Sequence, residues 1–218
     1  MKVINLSEQN SIINMYLLEL RSVDIQRDSM RFRRNIERIG EIMAYEISKS
    51  FHYEPKTVIT PLAPIEVNVG IDHVVLGVIL RAGIPLHDGF FHCFDRAENA
   101  FISAYRRYTD DNHTNVEIVV EYMASPSIEG KVLILPDPML ATGGSMELAY
   151  KALLKNGTPS AVHFACVVAS QQAVDYLQKI MPEDSTLWVA AIDPYLNEHK
   201  YIVPGLGDAG DLCFGEKL

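Results

Sequence analysis

The chain has 218 residues, 48% of them hydrophobic and 22% charged, which is enough to bury a full core as one domain. No apolar stretch approaches the length needed to cross a bilayer. A formal net charge of −9 argues against sequence-independent nucleic-acid binding, which relies on basic surface.

Met1 to Glu8 carries too short and interrupted an apolar run for a signal peptide, so a cytosolic, cytoplasmic location is expected. Residues 7–20 and 29–51 read as helices. In the second, Phe32, Ile36, Ile39, Met43 and Ile47 form one stripe, and Arg31, Arg33, Arg34 and Arg38 fall mostly elsewhere. That basic cluster reads as a solvated helix flank, with an anionic-ligand site as the alternative. Thr57 to Gly70, interrupted by Pro61 and Pro64, predicts a pair of short strands projecting from the core, and Val116 to Met123 another extended segment. From residue 74 the order is strand (74–80), helix (85–94), strand (100–105), a hairpin-like excursion, strand (131–136), helix (145–155), strand (161–168), helix (170–180) and strand (186–191). Such alternation predicts an α/β fold, a doubly wound, mostly parallel sheet flanked by helices with right-handed crossovers. Neither an internal repeat nor a low-complexity linker interrupts it. Cys93, Cys166 and Cys213 have no CxxC or metal-ligand spacing and read as reduced thiols; the seven histidines form no zinc motif.

The chemistry concentrates where predicted strands end. Val132 to Leu135 suits a strand buried on both faces, and Met146, Leu148, Ala149, Ala152 and Leu153 recur at helical spacing. Thr142, Gly143, Gly144 and Ser145 therefore sit where a helix begins, with free amides and a positive dipole end, and the two glycines let backbone approach phosphate oxygens. Neither a Walker ending nor G-x-G-x-x-G is present, so the loop suits a phosphate monoester; an ordinary strand–helix turn is the plainer alternative. Asp137, at the loop entry, can accept hydrogen bonds from a sugar attached to that phosphate. Arg81 follows the strand 74–80 and can grip a diphosphate bidentately, or can instead cap a carbonyl or pair with a surface acid. The stretch Asn197–Gly215 holds four glycines and a proline in the twelve residues from Pro204 and is expected to be neither regular helix nor strand. It exposes backbone donors and acceptors suited to a planar base, unless it is a solvated tail. Arg81, Arg106, Asp137, the 142–145 loop and Asp193 all follow strands and should converge on the carboxyl edge of the sheet.

The run D-P-M-L-A-T-G-G-S (137–145) resembles the phosphoribosyl-diphosphate loop of type I phosphoribosyltransferases, in the variant found in uracil phosphoribosyltransferases, with Pro138 in place of a second acid and Ala141 where several relatives have Asp. V-I-L-R-A-G (78–83), Y-R (105–106) and Y-I-V-P-G-L-G-D-A-G-D (201–211) match the same family in order. The resemblance implies transfer of phosphoribose from 5-phospho-α-D-ribose 1-diphosphate to uracil, giving UMP and diphosphate. It implies that Arg81, Arg106, Asp137, Pro138, Met139, Leu140, Ala141 and Thr142 to Ser145 bind phosphoribosyl diphosphate. Ile202 with Gly207, Asp208 and Ala209 would hold uracil, and Asp208 would also face a diphosphate-bound Mg2+. Arg81, Arg106, Asp137 and Asp208 would be the catalytic set. It further implies one domain, with helices and a β-arm in 1–73, a parallel core in 74–191 and a base-binding loop in 192–218. A homodimer or homotetramer joined through the 57–70 strands is expected, with GTP, an activator of some relatives, as a candidate effector. Two rivals remain: a phosphoribosyltransferase of another nucleobase, and an RNA-binding pyrimidine regulator on the same fold. The chain departs from the family at Ile84-Pro85-Leu86-His87 and at Arg107-Tyr108-Thr109-Asp110-Asp111. His87 is expected to pack against the Arg81 loop rather than titrate, and Arg107 to be a solvated charge.

Overall fold

Successive residues of the central strands serve two different cores, which is why helices cover both faces of the sheet. In β7 (Val132–Pro136), Val132 and Ile134 join one apolar cluster, and Leu133 and Leu135 join the other. The computed structural model describes residues 1–108 and 116–217, with backbone alone at 104–108 and 116–120. Its strands are β1 (Lys2–Asn5), β2 (Tyr53–Ile59), β3 (Pro64–Gly70), β4 (Val74–Leu80), β5 (Glu98–Tyr108), β6 (Val116–Ala124), β7, β8 (Met139–Leu140), β9 (Ala161–Ser170), β10 (Thr186–Asp193), β11 (Tyr195–Leu196) and β12 (Ile202–Val203). The main sheet runs β1-β10-β9-β7-β4-β5-β6, with β8 added beside β9. Every pairing in it is parallel except β5 with β6.

Helices α1 (Ile13–Arg21), α2 (Ser29–Ser48) and α3 (Ile84–Cys93) cover one face, and α4 (Gly144–Leu153) and α5 (Gln171–Ile180) cover the other. A sixth, short helix, α6 (Ala209–Phe214), packs against the first group through Ala209 and Cys213. Asp28 starts α2 by accepting the amides of Met30 and Arg31, each at 3.1 Å. The stripe Phe32, Ile36, Ile39, Met43 and Ile47 is buried as its spacing implies. The parallel α/β reading therefore holds.

Three local expectations change. Residues 2–5 form a strand parallel to β10, and the helix expected from residue 7 begins at Ile13, because Asn5 caps a tight 3-10 turn over Leu6–Glu8. The projecting hairpin begins at Tyr53 and is exposed along almost its whole length. The strand expected to stop at residue 105 runs to Tyr108, because antiparallel β6 continues its ladder to Val116. Arg106 thus lies on β5 rather than beyond it, its side chain outside the described residues, as is that of Arg107; residues 109–111 are outside them altogether.

Helices α2 and α3 touch backbone to backbone. A Cβ at Gly89 would lie 2.1 Å from the Glu37 carbonyl oxygen and 3.0 Å from the Gly40 Cα, so only glycine allows this spacing. Parting two packed helices costs about 1–3 kcal/mol or more. Gly89→Ala is accordingly expected to lower stability by about 2 kcal/mol or more in urea unfolding; an unchanged midpoint would show that the helices separate freely.

Candidate active site

β4 is the point at which the sheet reverses direction, with β5 on one edge and β7 on the other. In open α/β sheets the crevice beyond the strand ends at such a point receives the ligand. Arg81 follows β4 and Asp137 follows β7, so both stand at this crevice. The Leu80–Arg81 peptide is cis.

The loop after β7 is stitched down before it reaches its helix. The Asp137 amide donates to the Ala165 carbonyl at 2.9 Å, and the amides of Val167 and Val168 donate to the Pro138 carbonyl at 3.1 and 3.0 Å. Met139 and Leu140 then run parallel to Val168 and Ala169 as β8. The buried Ser170 hydroxyl donates to the Ala141 carbonyl at 2.6 Å and accepts the Ala173 amide at 3.0 Å. α4 begins with Gly143 at its N-cap and no side chain capping its first amides. Those donors face a small open cavity of about 30 Å³ lined by Asp137, Met139 to Gly143, Ser145 and Met146. The arrangement offers an anion preset dipoles and unpaired N–H groups.

Gly143 has a different task from the one expected. Its φ is +86°, and a Cβ there would meet Tyr176 Cδ1 at 3.0 Å and Leu177 Cδ2 at 3.2 Å. The glycine is needed for the left-handed turn and the approach of α5, not for room toward phosphate. α5 in turn fastens the helix start, since the Tyr176 hydroxyl donates to Glu147 Oε2 at 2.6 Å while Lys151 holds Oε1.

Asp137 has the Met139 amide, at a long 3.4 Å, as its hydrogen-bond partner among the described residues. Burial with so little compensation pushes its carboxyl up to about 7. The Cys166 thiol is likewise driven well above its ordinary value by burial, with the Asp137 charge adding to the effect.

The C-terminal stretch is more regular than expected. Ile202–Val203 pairs antiparallel with Tyr195–Leu196, and Asp208 starts α6 by accepting the Asp211 amide at 3.0 Å. Glycines at 205 and 207, with φ of +61° and +92°, confine the irregularity to the turn between them. Asp193 does not join the crevice. It is buried, takes a bidentate grip from Arg21 at 2.8 Å on each oxygen, and accepts the Gly205 amide at 2.8 Å. Arg21 also donates to the Gly205 carbonyl at 2.9 Å, and Gln26 to the carbonyls of Leu20 and Leu206 at 2.8 and 3.3 Å. These anchors of the turn carry no local motif, because their partners lie about 170–185 residues away in sequence.

The structure brings Arg81 to this turn as well. Its Nη2 donates to Asp211 Oδ1 at 3.0 Å and to the Gly215 carbonyl at 3.3 Å. Ile202 is buried, while Gly207 makes no backbone hydrogen bond among the described residues. The basic cluster of α2 is spent structurally: Arg31 on Glu19, Arg34 on Glu37, Arg38 on Asn35, and Arg33 on the Cys213 carbonyl at 2.6 Å. His87 turns from the Arg81 loop toward β5, where its ring pairs with Asn99 at 2.7 Å and packs beside Phe91 and Phe101.

A parallel sheet with this reversal, an uncapped helix start after β7 and an acid at its entry has the architecture of type I phosphoribosyltransferases. A hypoxanthine phosphoribosyltransferase structure from Staphylococcus aureus shares the fold at TM-score 0.52 and 14% identity, over 86% of this chain and 84% of that one. The AQ2163 protein structure from Aquifex aeolicus is more similar, with TM-score 0.87 and 26% identity over 99% of both chains. The family model "Uracil phosphoribosyltransferase" matches residues 7–216. Uracil phosphoribosyltransferases from Porphyromonas gingivalis and Pyrobaculum arsenaticum are 59% and 38% identical, covering 100% of both chains and 91% and 93% respectively. The chain belongs to the uracil phosphoribosyltransferase family.

Two outcomes follow from the geometry. Gly143→Ala is expected to weaken binding of a phosphorylated sugar and to lower the melting temperature together, because the added methyl displaces α5; full affinity in calorimetry would separate the turn from the cradle. Asp137 gives a pH signature. Its raised value means the folded state holds a proton that the unfolded state has lost between about 4 and 7, so its contribution to stability is lost as pH rises across that window and is gone above about 7. A ligand that donates hydroxyls to Asp137 favours the carboxylate, so binding releases a proton and strengthens as pH rises toward and past 7. The difference between wild type and Asp137→Asn in calorimetric affinity from pH 5.5 to 8.5 should carry this dependence; parallel curves would remove Asp137 from the sugar site.

Proposed function

We propose that the chain transfers phosphoribose from 5-phospho-α-D-ribose 1-diphosphate to uracil, releasing UMP and diphosphate. The observation that supports the reading is the shared cavity of the uncapped α4 start and the half-buried Asp137, with Arg81 held by Asp211 of α6, in a chain whose family and full-length relatives bear that activity in their names.

In this reading the amides at Thr142 to Ser145 receive the 5′-phosphate, and the sugar hydroxyls donate to Asp137. The residues from Pro138 to Ala141 supply the rigid backbone between them. Uracil sits against Ile202 and the backbone from Gly207 to Ala209. As diphosphate departs, the anomeric carbon gains positive character and the leaving group gains negative charge. Arg81 stabilises that charge, and Arg106 on β5 is assigned the same task by its motif. Ala141 has no basic group, so the loop's hydrogen bonds to the uracil carbonyls spread the charge that develops on the ring.

Among the described residues no three His, Cys, Asp or Glu side chains cluster to cage a metal. Asp208 uses Oδ1 on α6 and has Oδ2 facing Lys217 at 4.0 Å, so one carboxylate oxygen is available. That fits Mg2+ carried in by diphosphate, which keeps waters and takes few protein ligands. When bound, Mg2+ would offset diphosphate charge, and Asp208 is the residue that would face it.

The reading also makes the chain a single catalytic domain, with 1–73, 74–191 and 192–218 contributing helices and arm, core, and base loop. It further assigns it to the cytoplasm, as a homodimer or homotetramer with GTP as an effector. The exposed apolar residues Ile59, Leu62 and Ile65 on the β2–β3 arm support assembly there. No helix among the described residues is long and apolar enough to cross a membrane.

Base choice tests the reaction. Cytosine inverts the donor and acceptor at the edge that backbone groups would read, and such rejection can reach about 10⁴-fold. Steady-state turnover should be high with uracil, retained with 5-fluorouracil and essentially absent with cytosine, hypoxanthine and orotate, and should require Mg2+. Equal catalytic efficiency for cytosine and uracil would sink the assignment.

A further inference from the structure

We propose that Asp211 is a positioning residue that ties the diphosphate arm to the base-binding turn, so that filling one site tightens the other. This rests on the reaction assigned above. Arg81 and Asp208 are far apart in sequence, and Asp211 joins them. Its backbone amide donates to Asp208 Oδ1 at 3.0 Å, and its side-chain Oδ1 accepts Arg81 Nη2, also at 3.0 Å. Gly210 lets the two approach: a Cβ there would sit 3.2 Å from Asp208 Oδ1 and 3.8 Å from Arg81 Nη2.

The platform beneath is fixed at both ends. At its start the Leu212 amide donates to the Asp208 carbonyl at 3.0 Å, and at its end the Gly215 amide donates to the Asp211 carbonyl at 2.8 Å. Arg33 of α2 holds the Cys213 carbonyl at 2.6 Å, and Ala209, Gly210 and Cys213 are buried. The Arg81–Asp211 pair itself is partly exposed, with side chains 39% and 31% accessible. An ion pair that open adds little to stability. Its effect is on where the guanidinium points. Among the described residues Nη2 alone is engaged, which leaves the other donors of Arg81 for an anion.

A base seated on Gly207 to Ala209 packs at the first turn of α6 and narrows its remaining motion. That turn carries Asp211, and Asp211 fixes Arg81, so part of the ordering cost of gripping diphosphate is met beforehand. Linkage requires the effect to run both ways.

The test is calorimetric titration of magnesium diphosphate into wild type, Asp211→Ala and Asp211→Asn, each alone and with saturating UMP. Wild type should bind diphosphate about tenfold more tightly with UMP present, within the usual range of coupling between sites. Asp211→Ala should bind it about tenfold more weakly and lose the coupling, with UMP affinity changed by less than about threefold. Asp211→Asn keeps an acceptor oxygen and should retain most of the coupling. Asp211→Ser, too short to reach Arg81, should repeat the alanine result. Unchanged or tighter diphosphate binding by Asp211→Ala would mean that Asp211 competes for Arg81, and an asparagine variant as impaired as alanine would mean that charge, not position, matters; either overturns the proposal. Failure of wild type to bind UMP would instead overturn the reaction assignment, and the diphosphate affinities would still judge Asp211.

Discussion

Burial of β4 on both faces and both edges is the constraint from which the site follows. Its side chains Val74 and Leu76 enter one core, Val75 and Ile79 the other, and its backbone is shared between β5 and β7. A slip of one residue would exchange the side chains sent to the two cores, each of which is packed around its own set. Arg81 and Asp137 therefore emerge side by side from neighbouring strands whose register is fixed far from any ligand. The chemistry is placed by packing that has no chemical role.

The two ligand loops are held by different means. The cradle is an extension of the sheet: β8 borrows the ladder of β9, and Ser170 closes the last gap to Ala141. The base turn has no sheet to lean on beyond the two-residue β11–β12 pair. It depends on Arg21 and Asp193, whose mutual ion pair also clasps the backbone N–H and C=O of Gly205. Removing Arg21 would leave the buried Asp193 charge without its cation, a defect that costs about 3–5 kcal/mol where it has been measured in other buried pairs. The turn would be lost with it, so this pair fixes the conformation of the Gly205–Asp208 segment as well as contributing to stability.

What could be read from the sequence was what is encoded locally. β4 was legible to the residue because a short apolar run rich in Val and Ile and ended by a turn suits a fully buried strand, and the α2 stripe was legible from its 3.6 period. The 137–145 loop and Arg81 stand out in the sequence because each is a short segment whose distinctive residues are contiguous. Four-residue β1 was invisible because its strand character comes from β10, and Gly143 was misjudged because its neighbour, Tyr176, is supplied by the next helix. Asp193 was placed at the crevice because it follows a strand, and nothing nearby indicates that Arg21 takes up its charge. α6 was missed because glycine content argued against a helix that Asp208 caps from outside. Long-range polar partnerships are what sequence patterns do not carry.

Net charge is a similar case. A chain at −9 would seem a poor host for a sugar bearing a phosphate and a diphosphate. At physiological ionic strength, however, exposed charges more than about 8 Å apart are largely screened, so the ligand responds to what lines the crevice. There the α4 dipole and Arg81 supply positive potential at short range, and burial raises the Asp137 carboxyl to about 7, which reduces the negative charge it carries near neutral pH. Burial alone produces that shift, so an acid at the entry of this loop repels an approaching anion less than an exposed carboxylate would.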